Sequence, residues 1–146
     1  MPSASIKKKI SCSKENLIKM VLDIEKYPEF VPWCIDSKIY DKINKNDEIE
    51  IIADLTIGKN LFKAKYKSRV IYYKTKDIIH VTNIDGPLKY LENKWSFKEI
   101  GKFSEVDFYV NFELKNKIFN LIMLKSFDLG LSKIANAFEK RATDLF

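Results

Sequence analysis

The chain contains few of the residues on which catalytic and metal-binding sites usually depend. Its 146 residues include one histidine, two cysteines and only four glycines. Neither a Gly-rich phosphate or dinucleotide loop nor a nucleophile elbow is present. With His80 and two distant cysteines, a zinc site would also need carboxylate ligands, and no ligand pair occurs at a recognisable spacing. The sequence therefore predicts a protein that is not an enzyme and that holds no metal or cofactor.

Arginine is also scarce, although the chain is basic. Lysine and arginine total 26 against 20 acidic residues, a net charge of +6, yet only Arg69 and Arg141 are arginines. Proteins that read DNA sequence rely on arginine for bidentate base contacts, so the composition argues against DNA as a partner. The lysine excess favours contact with anionic lipid or RNA phosphates, although an AT-rich coding sequence also produces such a chain.

Long apolar runs are absent as well. No window approaches the roughly 18 consecutive apolar residues of a membrane-spanning helix. Lys7, Lys8 and Lys9 are not followed by an apolar signal-peptide core. Two isolated cysteines favour reduced thiols inside the cell, with a single disulfide between Cys12 and Cys34 as the alternative. We therefore expect a cytoplasmic protein.

What the chain does contain is a long series of alternating strands. Apolar and polar side chains alternate over residues 49–57, 62–72 and 106–114, with short turn signals between the segments. This pattern is typical of antiparallel strands with one face toward the core and one toward solvent. With residues 5–12, seven strands are predicted. No buried carboxylate is expected, because the acidic residues fall on the polar phase of the strands: Asp54, Glu105, Asp107 and Glu113.

Helices are predicted after the first strand and at the end of the chain. Ser13 is a suitable N-cap for the first of them, which Pro28 is predicted to end, with one further turn over residues 28–31. Residues 116–146 repeat apolar side chains at three- and four-residue intervals. Gly130 interrupts this helix and favours either close approach to the sheet or a slight bend. The predicted apolar face comprises Ile118, Leu121, Ile122, Phe127, Leu131, Ile134, Ala135, Phe138, Ala142 and Leu145.

These elements predict a single α+β domain over residues 1–146, in which an antiparallel sheet curves around one long helix. A sheet and a helix in this arrangement enclose an apolar cavity. The sequence therefore predicts a protein that holds an apolar ligand rather than one that performs chemistry.

Four short motifs occur along this series of elements: Tyr27-Pro28-Glu29-Phe30-Val31-Pro32-Trp33-Cys34, Asp85-Gly86-Pro87-Leu88, Trp95-Ser96-Phe97 and Phe138-Glu139-Lys140-Arg141-Ala142. In these motifs and in the order of its elements, the chain resembles the START-like helix-grip superfamily, with its Bet v-like and polyketide cyclase/dehydrase-like members. More narrowly, it resembles the branch of coenzyme Q-binding proteins and ribosome association toxins of the RatA type. The resemblance implies a seven-stranded antiparallel curved sheet wrapped around a long C-terminal helix, with two short helices after the first strand.

The resemblance also implies function. Coenzyme Q-binding members hold ubiquinone in an apolar tunnel and support respiratory electron transfer without catalysis of their own. The leading interpretation is therefore a noncatalytic ubiquinone-binding protein, a lipid chaperone of cellular respiration. RatA-like members share the motifs and block the association of ribosomal subunits. The alternative is thus an inhibitor that binds the large ribosomal subunit through the charged phase of one strand: Lys63, Lys65, Lys67 and Arg69. A cyclase-type enzyme is a third interpretation, for which the sequence offers no cavity acid or base.

A quinone site needs aliphatic and aromatic walls with a few polar contacts for the ring carbonyls. Trp95 is the first choice for the wall, Asn93 or Tyr66 for the polar contact, and the loop after Pro28 for the entrance. The complete predicted set is Phe30, Val31, Trp33, Tyr66, Asn93, Trp95, Phe112, Phe119, Ile122, Met123 and Phe127. For the residues other than Trp95 and the loop, packing in the core is the stronger competing interpretation.

A carrier that collects a lipid also needs contact with a membrane. The entrance loop over residues 30–33, near Lys26 and Lys38, is predicted to be exposed and to dock on an anionic membrane. The protein would then be peripheral to the inner membrane. The competing interpretation folds this loop under the long helix.

Overall fold

The computed structural model describes the backbone of residues 3–59 and 62–146, and the side chains of these residues except 59, 62, 119 and 122–129. The elements in chain order are β1 Ser3–Ile10, α1 Lys14–Leu22, a 3-10 helix Ile24–Glu29, β2 Cys34–Asn44, β3 Glu48–Lys59, β4 Phe62–Tyr73, β5 Ile78–Asp85, β6 Leu88–Ile100, β7 Phe103–Leu114 and α2 Lys117–Leu145.

The described strands form one antiparallel sheet with the order β1-β7-β6-β5-β4-β3-β2. Strands β2 to β7 follow one another as hairpins, and β1 pairs with β7 at the opposite edge from β2. The β3–β4 and β5–β6 turns therefore lie at the same end of the sheet as the start of α2, which we call the near end. The β2–β3, β4–β5 and β6–β7 turns lie at the far end. This topology confirms the predicted seven-stranded curved sheet with one long C-terminal helix and two short helices after β1.

One face of the sheet, the inner face, packs against the helices, and strand β7 shows how the sequence selects it. Alternate residues from position 104 to 114 are buried, whereas the residues between them are partly exposed. Each apolar side chain of this phase leaves water on folding, which stabilises the strand in this register. Helix α1 adds a buried face to the same core: Leu17, Ile18, Met20 and Val21. The strand phases predicted for β4 and β7 are confirmed.

The two short helices are divided differently from the prediction. Ser13 caps α1 as expected, its hydroxyl accepting a hydrogen bond from the Asn16 N–H at 3.2 Å. However, α1 ends at Leu22, and Pro28 lies inside the 3-10 helix Ile24–Glu29 instead of starting a turn of its own. The Tyr27 hydroxyl donates to the Val21 carbonyl and fastens the 3-10 helix to the end of α1. This tertiary bond has no signature in the local pattern.

Two predictions of exposure and burial are wrong. Asp54 is only 7% exposed, because the long side chain of Lys65 on the neighbouring strand lies across it, with Nζ 3.6 Å from Oδ2. Ile118 and Leu121, predicted to face the core, are 70% and 61% exposed. They lie in the first turns of α2, just beyond Leu114, where the last strand ends.

Between these first turns and its last turn, helix α2 keeps its predicted face, and Leu131, Ala135, Phe138 and Ala142 are buried. Leu145, also predicted for this face, is 51% exposed because it lies where the helix ends. Asn116 begins the helix, since its Oδ1 accepts a hydrogen bond from the Ile118 N–H at 3.0 Å. None of the helices that the structure describes is both long and apolar enough to cross a membrane. Cys12 and Cys34 are buried free thiols, as the leading prediction for the cysteines has it.

Candidate functional site

An aromatic cluster occupies the inner face where β6 and β7 meet α2. The Trp95 ring stacks on Phe108 with centroids 4.1 Å apart and meets the edge of Phe138 on α2 at 4.9 Å. Phe138 in turn contacts Phe30 at 5.1 Å and Tyr27 at 5.5 Å. The cluster therefore joins the sheet, the long helix and the 3-10 helix.

The space beside Trp95 is small. A cavity of about 20 Å³ lies between β1, β6, β7 and α2. A ligand pocket for a drug-sized molecule typically has a volume of about 300–1,000 Å³, so this space holds little more than one water. Trp95 is 7% exposed and is packed as a core residue. It can form the floor of a binding chamber, but a quinone ring does not fit beside it in this conformation.

Lys8 is a polar residue of this region that the sequence reasoning missed. It lines the cavity beside Trp95, between Ile6 and Ile10 on the apolar phase of β1. Its Nζ donates to Asn136 Oδ1 at 2.6 Å and to Glu139 Oε1 at 3.3 Å, both on α2. Its position on the apolar phase of β1 could have indicated from the sequence that Lys8 faces the core side of the sheet. Its role here is to fasten β1 to the helix.

Asn93 lies on the same phase of β6 as Trp95, one step closer to the near end. In the sheet it is opposite Val81 on β5 and Val110 on β7, so apolar side chains surround it. Its Oδ1 is buried and has no hydrogen-bond partner in the part of the chain that the structure describes. An unpaired buried acceptor costs about 1–3 kcal/mol. Such an atom in an apolar surrounding is a natural contact point for a polar group of a ligand.

Tyr66 lies on β4 in a second polar spot, together with Tyr27 and Cys34. Burial raises the pKa of all three groups, that of the Cys34 thiol to about 11. Each therefore stays protonated and uncharged at neutral pH. A neutral phenol is a hydrogen-bond donor, so Tyr66 suits a ligand carbonyl.

The Asp-Gly-Pro turn between β5 and β6 packs closely against Tyr66. Gly86 has φ +129°, and a Cβ built there would lie 2.8 Å from the Tyr66 Cα. Asn83 closes the turn, since its Oδ1 accepts from the Leu91 N–H at 3.0 Å and its Nδ2 donates to the Leu88 carbonyl at 3.2 Å. The turn motif thus positions one of the predicted polar contacts.

The loop over residues 30–33 packs on α2 rather than standing in solvent. The Phe30 ring lies 4.9 Å from the Arg141 guanidinium carbon, and Arg141 also pairs with Glu29 at 2.9 Å and lowers the pKa of that carboxyl. The Trp33 ring lies 3.4 Å from the position a Cβ would take at Gly130. All four residues of the loop are half-buried. The prediction of an exposed loop is wrong, and the competing interpretation of a loop folded against the helix describes it.

The Trp33 ring is the neighbour of Gly130, at a distance that would leave room for a Cβ. Trp33 has φ +64°, which is uncommon outside glycine, and its carbonyl accepts from the Gly58 N–H at 2.9 Å. Its ring then contacts the helix at Gly130, which has no side chain. The predicted close approach of Gly130 to the sheet is not seen among the described residues, since the described neighbours of a Cβ built there are atoms of the Trp33 ring.

The remaining predicted site residues divide into two groups. Val31 is half-buried against the core, and Phe112 is buried on β7 near the start of α2. The side chains of the others lie outside the described residues: Phe119, Ile122, Met123 and Phe127. Among the described side chains, no three His, Cys, Asp or Glu are grouped so as to hold a metal ion.

The outer face of the sheet carries a basic cluster on β2 and β4. The Lys38 and Lys67 ammonium groups lie 4.9 Å and 4.7 Å from the centroid of the Tyr40 ring. Lys63, Lys65 and Arg69 on β4 are exposed, as predicted for the charged phase of this strand. Alternate residues of a strand are about 6.8 Å apart, so β4 presents a regular row of positive charges.

Comparison with known proteins gives one family match. The model described as "Polyketide cyclase / dehydrase and lipid transport" matches residues 12–139. The chain is 34% identical over 134 residues to the "Ribosome association toxin RatA" of Rickettsia prowazekii, across 90% of this chain and 89% of that protein. It is 28% identical over 143 residues to the mitochondrial "Coenzyme Q-binding protein COQ10" of Dictyostelium discoideum, across 95% of this chain and 68% of that protein.

Among solved structures, a START superfamily protein from Mycobacterium smegmatis superimposes with a TM-score of 0.82. The match covers 99% of each chain at 20% sequence identity. Identity this low establishes a common fold and leaves the ligand open.

Proposed function

Because the chain belongs to the polyketide cyclase/dehydrase and lipid transport family, as its START-like resemblance predicted, we propose that it binds a lipid noncatalytically on the inner face of its sheet. The proposed ligand is ubiquinone or a similar isoprenoid quinone. The protein would act as a lipid chaperone that supports respiratory electron transfer. One relative carries the name of a coenzyme Q-binding protein, which supports this choice of ligand.

The proposal depends mainly on the surroundings of the Asn93 side chain. Among the described residues its buried amide oxygen has no hydrogen-bond partner, and its cross-strand neighbours are Val81 and Val110. A quinol hydroxyl can donate to this oxygen. After a half-turn of the amide, the NH2 group can donate to a quinone carbonyl instead. One side chain therefore suits both redox forms of the ligand.

The proposed chamber lies toward the near end, with Trp95 as its floor rather than its wall. In this proposal Asn93 and Tyr66 supply the polar contacts, and apolar surface comes from Phe112 on β7 and from Trp33, which lies against Gly130 on α2. The predicted contacts on α2, namely Phe119, Ile122, Met123 and Phe127, stay part of the proposal. Phe30 and Val31 hold the 3-10 helix and its loop in place beside this chamber.

The chemistry of these contacts supports a role without catalysis. Burial keeps the Tyr66 hydroxyl and the Cys34 thiol protonated, since it raises the pKa of both groups. Such groups donate hydrogen bonds but do not act as bases near neutral pH. The described carboxylate that is buried, Asp54, lies on the outer face and cannot reach a ligand in the chamber.

Replacing Asn93→Leu tests the proposal. We expect the affinity for a water-soluble, short-chain ubiquinone to fall about ten-fold, the equivalent of one hydrogen bond. The matched control is Asn111→Leu, because Asn111 also has a buried, unpartnered Oδ1 but lies on the outer face of the neighbouring strand. Quenching of tryptophan fluorescence measures the binding. Equal affinity in both variants would contradict the assignment of Asn93.

A second candidate function is supported by the basic cluster of the outer face. The relative that is 34% identical is named a ribosome association toxin, and β4 presents a row of cations suited to RNA phosphates. In this function the chain would bind the large ribosomal subunit and hinder subunit association. Tyr40, held between Lys38 and Lys67, adds an exposed aromatic ring to the same surface.

Neutralising Lys63→Gln together with Arg69→Gln tests this candidate and leaves the Lys65–Asp54 pair intact. We expect reduced cosedimentation with large subunits and a weaker salt dependence of binding. The control is Lys98→Gln with Lys102→Gln, two exposed lysines of the far-end β6–β7 hairpin. No cosedimentation of the unmodified protein at low salt would exclude the ribosome as its partner.

A further inference from the structure

We propose that the start of α2 is a docking edge for an anionic membrane, formed by Ile118 and Leu121 with Lys89, Lys115 and Lys117. This inference rests on the proposed lipid-binding function and gives it a route for loading the ligand. It replaces the loop over residues 30–33, predicted for this role, which is packed on α2.

The apolar part of the edge is an unusually exposed pair. Ile118 and Leu121 are 70% and 61% exposed, the highest values among the large apolar residues described. They are three positions apart on a helix, so their side chains lie on the same face. Leaving two such side chains in water is unfavourable, whereas burying them at a lipid surface is favourable.

The polar part of the edge is basic. Lys115 and Lys117 flank Asn116 in the link from β7 to α2, and both are exposed. The first turn of α2 contains no acidic residue. Lys89 lies on the neighbouring start of β6 with its side chain 69% exposed. The acidic neighbour Glu113 lies 3.9 Å from Lys89 and is largely covered. Lysines beside exposed aliphatic side chains match the head groups and the outer acyl region of an anionic bilayer.

The location connects this edge to the proposed chamber. The Lys115 N–H donates to the Pro87 carbonyl at 2.9 Å, and the Leu114 N–H donates to Asn120 Oδ1 at 3.2 Å. These bonds hold the edge against the last inward-facing residues of β6 and β7, which are buried and apolar: Leu88, Phe112 and Leu114. A lipid leaving the bilayer at this edge would therefore meet an apolar wall directly.

Binding to vesicles tests the docking edge. The protein is mixed with vesicles of phosphatidylcholine and phosphatidylglycerol, or of phosphatidylcholine alone, and cosedimentation is measured. We expect binding to the anionic vesicles, and about ten-fold weaker binding for Ile118→Ser with Leu121→Ser, since the interfacial pair is lost. The matched control is Ile100→Ser with Phe103→Ser, an exposed apolar pair of the far-end hairpin that is 41% and 47% exposed.

The charges are tested separately. Lys115→Gln with Lys117→Gln should reduce the preference for anionic vesicles, whereas Lys98→Gln with Lys102→Gln should leave it unchanged. The docking edge is excluded by any of three results: no binding of the unmodified protein, equal losses at the two ends of the molecule, or dimerisation through Ile118 and Leu121 in sedimentation. A quinone titration without vesicles keeps the two proposals apart. If the unmodified protein binds quinone but not anionic vesicles, the docking edge alone is refuted. If it binds anionic vesicles but not quinone, the proposed function is refuted.

Discussion

At the scale of single residues, Asn93 and Trp95 show that the sequence can indicate which face of a strand a residue lies on, but not which residues pack around it. Both lie on the phase of β6 that faces the core, together with the buried residues Leu91 and Phe97. Their surroundings depend on residues distant in sequence. Phe108 and Phe138 fill the space beside Trp95, whereas Asn93 lies between Val81 and Val110, and its Oδ1 has no partner within the described part of the chain. Asn93 could thus be proposed as a polar contact from the sequence. The sequence could not show that aromatic neighbours pack around Trp95 and leave no room for a ligand beside it.

Trp95→Ala is expected to act on stability first. Removing a buried aromatic side chain typically costs about 3–5 kcal/mol because it leaves a cavity. Urea unfolding of the variant and the unmodified protein measures this difference. A loss below about 1 kcal/mol would contradict the core packing described for Trp95.

The buried thiol and phenols predict a loss of stability in alkali. The pKa of Cys34 rises from 9.0 to about 11 on folding, and that of Tyr66 rises from 10.0. The folded state therefore holds its protons more tightly than the unfolded chain. Their contribution to stability is complete below about pH 9 and declines as the pH rises through the folded pKa values.

The slope of the urea midpoint against pH between about 9 and 11 measures this effect. Cys34→Ala should make the decline shallower over that range, and Tyr66→Phe should do so above about pH 10. Unchanged slopes in both variants would show that these groups ionise equally in the folded and unfolded states.

At the scale of elements, the strands and the long helix were predictable because each has a strong internal period. The 3-10 helix had none, and its bounds depend on the bond from Tyr27 to Val21. The start of α2 was misjudged for the opposite reason. Ile118 and Leu121 continue the apolar period, yet both are largely exposed. Periodicity identifies a face without showing whether another surface covers it.

The turn between β5 and β6 should depend strongly on Gly86. An alanine Cβ there would lie 2.8 Å from Tyr66 backbone and side-chain atoms, and φ +129° disfavours any side chain. We expect Gly86→Ala to destabilise the protein by about 3 kcal/mol or more. The comparison is Gly101→Ala. At Gly101 φ is +60°, and a built Cβ has no described neighbouring atom within 4 Å, so we expect the free energy of unfolding to fall by only about 1 kcal/mol. Equal costs by thermal or urea unfolding would contradict the close packing of this turn.

At Gly130, unlike at Gly86, we expect alanine to stabilise the protein. A Cβ there would be in ordinary contact with the Trp33 ring at 3.4 Å and 3.5 Å. Gly130→Ala should therefore stabilise α2 by up to about 1 kcal/mol through helix propensity. Gly130→Val adds atoms that displace the ring and should destabilise the fold and shift the tryptophan emission. If the alanine variant is the less stable of the two, Trp33 does not lie where the structure places it.

At the scale of the whole molecule, the architecture could be predicted from the order of the elements. Which surface carries each of the proposed contacts could not. The inner face holds the proposed lipid contacts, the outer face of β2 and β4 holds the basic cluster, and the near end holds the exposed apolar pair. Sequence reasoning assigned the charged row of β4 correctly, since strand phase alone decides it. It predicted that residues 30–33 are exposed, and this was wrong because the packing of the loop on α2 is a tertiary event.

The central claim is that an isoprenoid quinone occupies the inner face beside Asn93. Mass spectrometry of lipid extracts from the natively purified protein tests it most directly, after expression in quinone-containing cells. We expect a quinone with the unmodified protein and with Asn111→Leu, and a strongly reduced amount with Asn93→Leu. No quinone with any of the three proteins would contradict the claim.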